Sequence, residues 1–436
     1  MKKALALILA LVMIFALCAC GQSAAPAEAP ASDAAAPAAA ADGEKTTIVF
    51  GGEAGSPFTE FYKSIAPKFE EETGIHVDFF EIDHASIHER LLTEAMAGTG
   101  SVDVYMLDQP WVAEFADLGY LVEIDDAMKA EVDDFDDFTS GALSCVEYKD
   151  KLWGLPFQYH TPILFYRTDL FEKAGLTTPP ATWEELREYA IKLTDKENGI
   201  YGICIEGKAH PASTVHLLNF IMQAGGDYIE DFDSPEVREA FQYMYDLQWT
   251  DGGSPEAADG YDNTDSETMW LEGKLAMVYG WPYFYGSSTD ESRSKIIGKF
   301  DVAMQPVGKQ EAYSTWGFGL GISSASEKQD AAWEFCKWGT NVENMKEFGK
   351  IIGNPPVRTS SAELLQQDPE VDDQMKKALS VMAEAASISE NVIALPQFPA
   401  IQDRLGVAIS NTMSKEKTID EELTATAADI ADILSQ

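Results

Sequence analysis

The chain has 436 residues with 73 acidic and 31 basic side chains, a formal net charge of -42, 45% hydrophobic and 11% aromatic residues. That length holds two ordinary domains of about 100–200 residues each around a sizeable core, and the composition excludes a largely disordered chain, a coiled coil or a collagen. A field of this sign repels phosphate backbones, which excludes nucleic acid as a partner, and it disfavours anionic solutes while leaving neutral and cationic ones unhindered.

From the amino end, Lys2 and Lys3 precede an uninterrupted apolar run over residues 4–17. The run is too short to span a bilayer comfortably as a mature helix, and the combination predicts an export signal. It ends in Leu17-Cys18-Ala19-Cys20 before Gly21, which resembles the lipobox of bacterial lipoproteins. The resemblance implies a signal peptide over residues 1–19 and a lipid on Cys20, anchoring an exported chain to the outer face of the cytoplasmic membrane. A soluble secreted protein cut at an ordinary small-residue site is the alternative. Residues 20–45 are Ala/Pro-rich, lack apolar periodicity and read as a tether; extended at about 3.1 Å per residue, about 20 residues reach on the order of 60 Å. Of the five cysteines, Cys145, Cys204 and Cys336 remain in the folded part, odd in number and far apart without a Cys-x-x-Cys. Isolated buried thiols are expected rather than a disulfide framework or a structural zinc.

The folded part begins with a strand over 46–50 that stops at Gly51-Gly52. A helix over 58–73 places Phe61, Ile65 and Phe69 on one face and ends at Gly74, a strand follows over 75–80, then a helix over 85–97 and a strand over 102–107. Strand, helix, strand, helix, strand predicts an α/β fold with a parallel sheet and crossover helices. Ligands of such sheets lie at the carboxyl ends of the strands, here residues 51–56, Asp83 and residues 108–111. Further on, 163–166 reads as a strand. Thr182 and Glu185 form a capping box, the hydroxyl bonding the Glu185 amide and the carboxylate returning to the Thr182 amide. Residues 237–249, 331–338 and 374–387 are amphipathic helices.

Several segments together resemble the extracellular solute-binding proteins of ABC importers, in the family that includes the maltose-type sugar receptors. They are Asp103 to Trp111 with Leu118 to Leu121; Gly154 to Phe171 with Ala174-Gly175-Leu176 and Pro180 to Leu186; Glu272-Gly273-Lys274 to Gly280-Trp281; and Gly317 to Ile322 before Ala331 to Phe335. Their order and spacing match the family from about Thr46 to Ser361. The resemblance implies a two-lobe periplasmic-binding-protein-like clamshell, with discontinuous lobes joined by a hinge: residues 46–155 plus 282–338 form the N-terminal lobe, and 156–281 plus 339–436 the C-terminal lobe. It implies a monomeric receptor that captures a carbohydrate between the lobes and delivers it to the permease transmembrane subunits, without cofactor, metal or catalysis.

A sugar site needs a flat aromatic for the ring face and planar polar groups for the hydroxyl rim. Trp281, after Gly280 and beside Tyr283, is the expected stacking residue, by the family motif; core packing is its alternative. Asp108, Gln109 and Trp111 follow their strand directly and offer a carboxylate, an amide and an indole, though Asp108 could equally cap a helix. Gln158, Tyr159 and His160 occupy the first hinge crossing and Trp316 a later one, where Gly317 and Gly319 permit close approach and hinge torsion. Glu53 forms a third wall, and Arg358 after Pro355-Pro356 reaches toward the cleft. Trp333 and Trp338 lie on a helix with Phe335 and read as core.

His84 and His88 have zinc-like spacing but lack the glutamate of a zinc-protease helix, and the acidic run 131–137 lacks EF-hand spacing and reads as a solvated face. No nucleophile elbow, phosphate-cradling loop or dinucleotide fingerprint occurs. Two other readings stand beside the sugar receptor: the same fold binding a cationic or amine solute, and a secreted lipoprotein glycosidase.

Overall fold

In the computed structural model, which describes residues 45–83 and 86–436, the first strand runs past the glycines expected to end it. Strand β1 (Thr47–Glu53) pairs in parallel with β2 (His76–Ile82) as far as Glu53 opposite Ile82. A Cβ at Gly51 would meet the Leu91 side chain at 2.9 Å, and one at Gly52 would meet Phe50 at 2.6 Å and Thr59 at 2.8 Å. The two glycines therefore let the helices Pro57–Thr73 and Ile87–Ala97 lie close against the strand. The signal, tether and lipidation expectations, with His84, fall outside the described residues.

Strand β3 (Val104–Asp108) pairs in parallel on the other side of β1, completing the expected unit. A short hairpin of β4 (Glu147–Tyr148) and β5 (Lys151–Leu152) leads to β6 (Leu155–His160) and β7 (Ile163–Arg167), and β8 (Met277–Gly280), β9 (Phe300–Ala303), β10 (Ser314–Ile322) and β11 (Glu390–Asn391) follow. The first sheet becomes mixed beyond β3: β10 runs antiparallel to β3 and to β6, and β11 runs parallel to β10. A second, antiparallel sheet has β7 between β8 and β9. Phe300–Ala303 thus pairs within the second sheet, whereas the division read from the sequence put it with β1 to β3.

Both faces of the first sheet are covered. Ile48 and Phe50 join the larger core with Phe61, Tyr62 and Phe335, while Leu91, Val102, Trp111 and Phe115 form a smaller core on the opposite side. This explains why β3 is buried at every position. Gly74 ends its helix with φ 75°, where a side chain would be strained. The Thr182 hydroxyl accepts from the Glu185 amide at 3.2 Å, but the Glu185 carboxylate accepts from the Ala181 amide at 2.7 Å, one residue earlier than the capping box predicts. Helices occur at Trp183–Leu193, Gln329–Gly339 and Asp373–Ser387, and the one expected over 237–249 is Pro235–Tyr245 followed by a π-helical turn, Asp246–Thr250. Cys145, Cys204 and Cys336 are free, buried thiols, and burial raises each pKa. Trp333 is buried and Trp338 half-buried against Phe69. Among the described residues no helix is long and apolar enough to cross a membrane, and no group of three or more potential metal ligands occurs.

Candidate ligand-binding site

Three helices begin at one place. Pro57–Thr73 and Pro211–Ala224 each open with a proline, whose fixed φ and missing amide suit a first turn, and Asn263–Leu271 opens with a capping box. The Ser56 hydroxyl accepts from the Phe58 amide at 3.3 Å and His210 Nδ1 from the Ala212 amide at 3.2 Å. Asp262 Oδ1 accepts from the Thr264 amide at 2.9 Å, and Asp265 accepts from the Asp262 amide at 3.2 Å. These first turns meet the ends of β1, β3 and β6, the segment after β8, and the middle of β10. Together they enclose a cavity of about 110 Å³ lined by Glu53, Asp108, His160, Trp281, Tyr283, Trp316 and Phe318 along with the helix starts.

Six of the expected residues therefore come together: Glu53, Asp108, His160, Trp281, Tyr283 and Trp316. Asp108 stands at the N-cap of the 3-10 turn Gln109–Trp111 but makes no capping bond from its side chain. Tyr283 accepts from Asn263 Nδ2 at 3.0 Å, and burial holds its hydroxyl well above the usual phenol range.

The other five lie elsewhere. Gln109 is buried outside the lining. Trp111 packs in the smaller core beside His88, ring centres 5.3 Å apart, and His88 is held by Glu114 at 2.6 Å. Gln158 sits behind His160, its amide nitrogen 2.9 Å from His160 Nδ1. Tyr159 faces the opposite side of β6, as strand alternation requires, and its hydroxyl donates to the Ala386 carbonyl at 3.3 Å. Arg358 is fully buried away from the cleft, its guanidinium donating to the carbonyls of Thr340, Asp133 and Asp134 at 2.6, 3.1 and 3.2 Å.

Gly317 and Gly319 serve close packing. A Cβ at Gly317 would meet Cys145 Sγ at 2.5 Å, and one at Gly319 would meet Val146 at 2.4 Å, on the face of β10 away from the cavity. Neither residue has a positive φ.

Behind the cavity, Trp281 packs on two imidazoles: His160 at 4.9 Å with 39° between planes, and His216 at 6.0 Å with 27°. Burial lowers both histidines to about 4, so both rings are neutral at ordinary pH. Glu206, also buried, accepts from the Ser266 hydroxyl at 2.6 Å and lies 3.6 Å from His216 Nδ1. Burial, reinforced by Asp262 and Asp265, pushes its carboxyl up to about 8. A carboxyl whose folded pKa exceeds its ordinary 4.5 gives its full stabilisation below pH 4.5 and loses it as pH rises through about 8. In Glu206→Gln this loss should vanish: chemical denaturation at intervals from pH 5 to 9 should show the variant gaining stability relative to the parent as pH rises, and a constant difference would refute the assignment.

Sequence reasoning missed His210, Ala212, Val215, Asn263, Thr264 and Phe318. The signal for the first was present as a capping side chain followed by proline, His210-Pro211, the same pattern as Ser56-Pro57.

The model of the bacterial extracellular solute-binding proteins matches residues 55–346, more than half of the chain. This chain belongs to that family. A solute-binding protein of this length is similar to a probable ABC transporter-binding protein of Deinococcus radiodurans, 25% identical over 87% of this chain and 91% of the relative. It is 23% identical to the mannitol-binding protein of Pseudomonas aeruginosa over 82% of this chain and 86% of the relative. Among solved structures, an ABC transporter solute-binding protein of Thermotoga lettingae bound with α-D-tagatose superposes with a TM-score of 0.80 at 27% identity, covering 89% of this chain and 99% of the other. This solute-binding protein accordingly has the two-lobe clamshell fold, and the cavity is lined by residues at both of its sheets.

Proposed function

We propose that this protein is the lipid-anchored substrate-binding subunit of an ABC importer, capturing a carbohydrate or polyol between its lobes and delivering it to the membrane permease. The reading is carried by the cavity that Trp281, Tyr283 and Trp316 line together with Glu53 and Asp108. Aromatic faces suit the C–H surface of such a solute, and carboxylates accept from its hydroxyls in charge-assisted hydrogen bonds. A relative named for mannitol and a structure holding tagatose support the same class. One lobe is built on the first sheet and the other on the second, which takes in Phe300–Ala303. Because the wall is complete only when both lobes contribute, ligand binding favours the closed form, and the permease reads that closed shape. Cys20 supplies the anchor, the chain works as a monomer, and the site binds without turnover. A cationic solute is the second reading, favoured by two carboxylates among aromatic rings.

The test uses the full chain and its Cys20→Ser variant. The parent should fractionate with membranes and the variant with the soluble fraction. The soluble variant should bind one equivalent of a sugar or polyol by calorimetry, with the solute recovered unchanged. Lipid on the variant would remove the anchor, and hydrolysis of oligosaccharides would favour a glycosidase.

A further inference from the structure

The cavity's size and charge narrow the class of solute further, resting on the reading that the cleft takes a polyhydroxylated ligand. The cavity offers about 110 Å³ to the centres of water-sized spheres, room on the scale of one small solute. A six-carbon sugar or polyol, with about a dozen bonded non-hydrogen atoms, displaces on the order of six or seven waters at about 30 Å³ each. A trisaccharide displaces about three times as many, more than these walls surround.

The walls do not give way easily. Phe58 is 5% exposed and packs edge-on against Tyr283 at 5.9 Å and against Phe318 at 5.7 Å. Directly after Asp108, the turn Gln109–Trp111 is held by the helix Phe398–Met413.

Charge points the same way. The described lining residues include the carboxylates of Glu53 and Asp108 and no lysine or arginine. An anionic sugar would need a guanidinium or ammonium to replace its hydration. The three helix starts, each equivalent to about half a positive charge, come close to offsetting the two carboxylates. The nearest capping carboxylate, Asp262, is matched by Lys208 at 2.5 Å, but Asp265 of the same capping box is a further negative charge. The field stays negative, so an ammonium is not repelled and an anion is.

We propose that the cleft takes a single unit without negative charge, a monosaccharide or an acyclic polyol of similar size, and rejects oligosaccharides and anionic sugars. The test is calorimetric titration of the purified full chain with tagatose, mannitol, glucose, galactose, ribitol, glucosamine, glucuronate and maltotriose at one ionic strength. At least one of the five neutral single-unit probes or glucosamine should bind roughly 100-fold tighter than maltotriose and about 10-fold tighter than glucuronate. Maltotriose binding as tightly as the best single-unit probe overturns the size assignment, and glucuronate binding tightest overturns the charge assignment; either result leaves a carbohydrate receptor standing. Absence of heat with all eight probes overturns the receptor reading and this inference together.

Discussion

Replacing Trp281 with alanine is expected to weaken ligand binding roughly 30- to 1000-fold, the about 2–4 kcal/mol that truncation of a buried aromatic anchor costs. The indole lines the cavity while remaining only 5% exposed, so truncation removes a rigid flat wall and leaves a void that a methyl group cannot fill. Because the ring also rests on His160 and His216, alanine should lower the unliganded melting temperature as well. Trp281→Phe separates the two effects: it keeps an aromatic body against the imidazoles, holds most of the stability and still loses affinity through its smaller face. Calorimetry beside ligand-free thermal unfolding of both variants provides the check. Normal affinity in Trp281→Ala would leave the ring as packing alone.

Arg358→Ala is expected to do the reverse, destabilising the fold by about 3–5 kcal/mol while the protein that remains folded binds as before. The guanidinium satisfies three backbone carbonyls, stands 3.7 Å from Asp137 and lies over the Phe138 ring at 3.9 Å. One of those carbonyls belongs to Asp134, held at φ 50°, a left-handed conformation that costs a non-glycine residue about 1–3 kcal/mol. Alanine would bury unpaired carbonyls and the Asp137 carboxylate together. Urea unfolding with parallel titration of ligand tests this, and lost affinity at unchanged stability would return Arg358 to the site.

The legibility of this chain follows the range of the interactions involved. The unit from β1 to β3 could be read because its determinants are local: apolar strands, a helix with one apolar face, and a glycine stop at Gly74. Glu53 and Asp108 could be read from the topology, since strand ends in a parallel sheet share an edge. What could not be read depends on partners distant in sequence. Gly51 and Gly52 look like a strand terminator until Leu91 and Thr59 are seen pressing on them. Arg358 after Pro355-Pro356 is expected to reach toward the cleft, and only the return of residues 133–137 buries it. Tyr159 and His160 are adjacent, and which of them faces the cavity is set by pairing with β10, where His160 stands opposite Trp316. The pairing of Phe300–Ala303 with β7 depends on residues more than a hundred positions away.

Strand β10 also limits how this receptor can change over evolutionary time. Its alternation sends Trp316 and Phe318 into the cavity and Gly317 and Gly319 against Cys145 and Val146. Exchanging Trp316 or Phe318 for other side chains can retune the wall one position at a time. Inserting or deleting a single residue upstream within the strand would exchange its faces, presenting hydrogen atoms to the solute and driving indole and phenyl rings into space that cannot hold even a methyl. Diversification of specificity through this strand is therefore confined to substitution, and variation in length must fall in the loops that flank it.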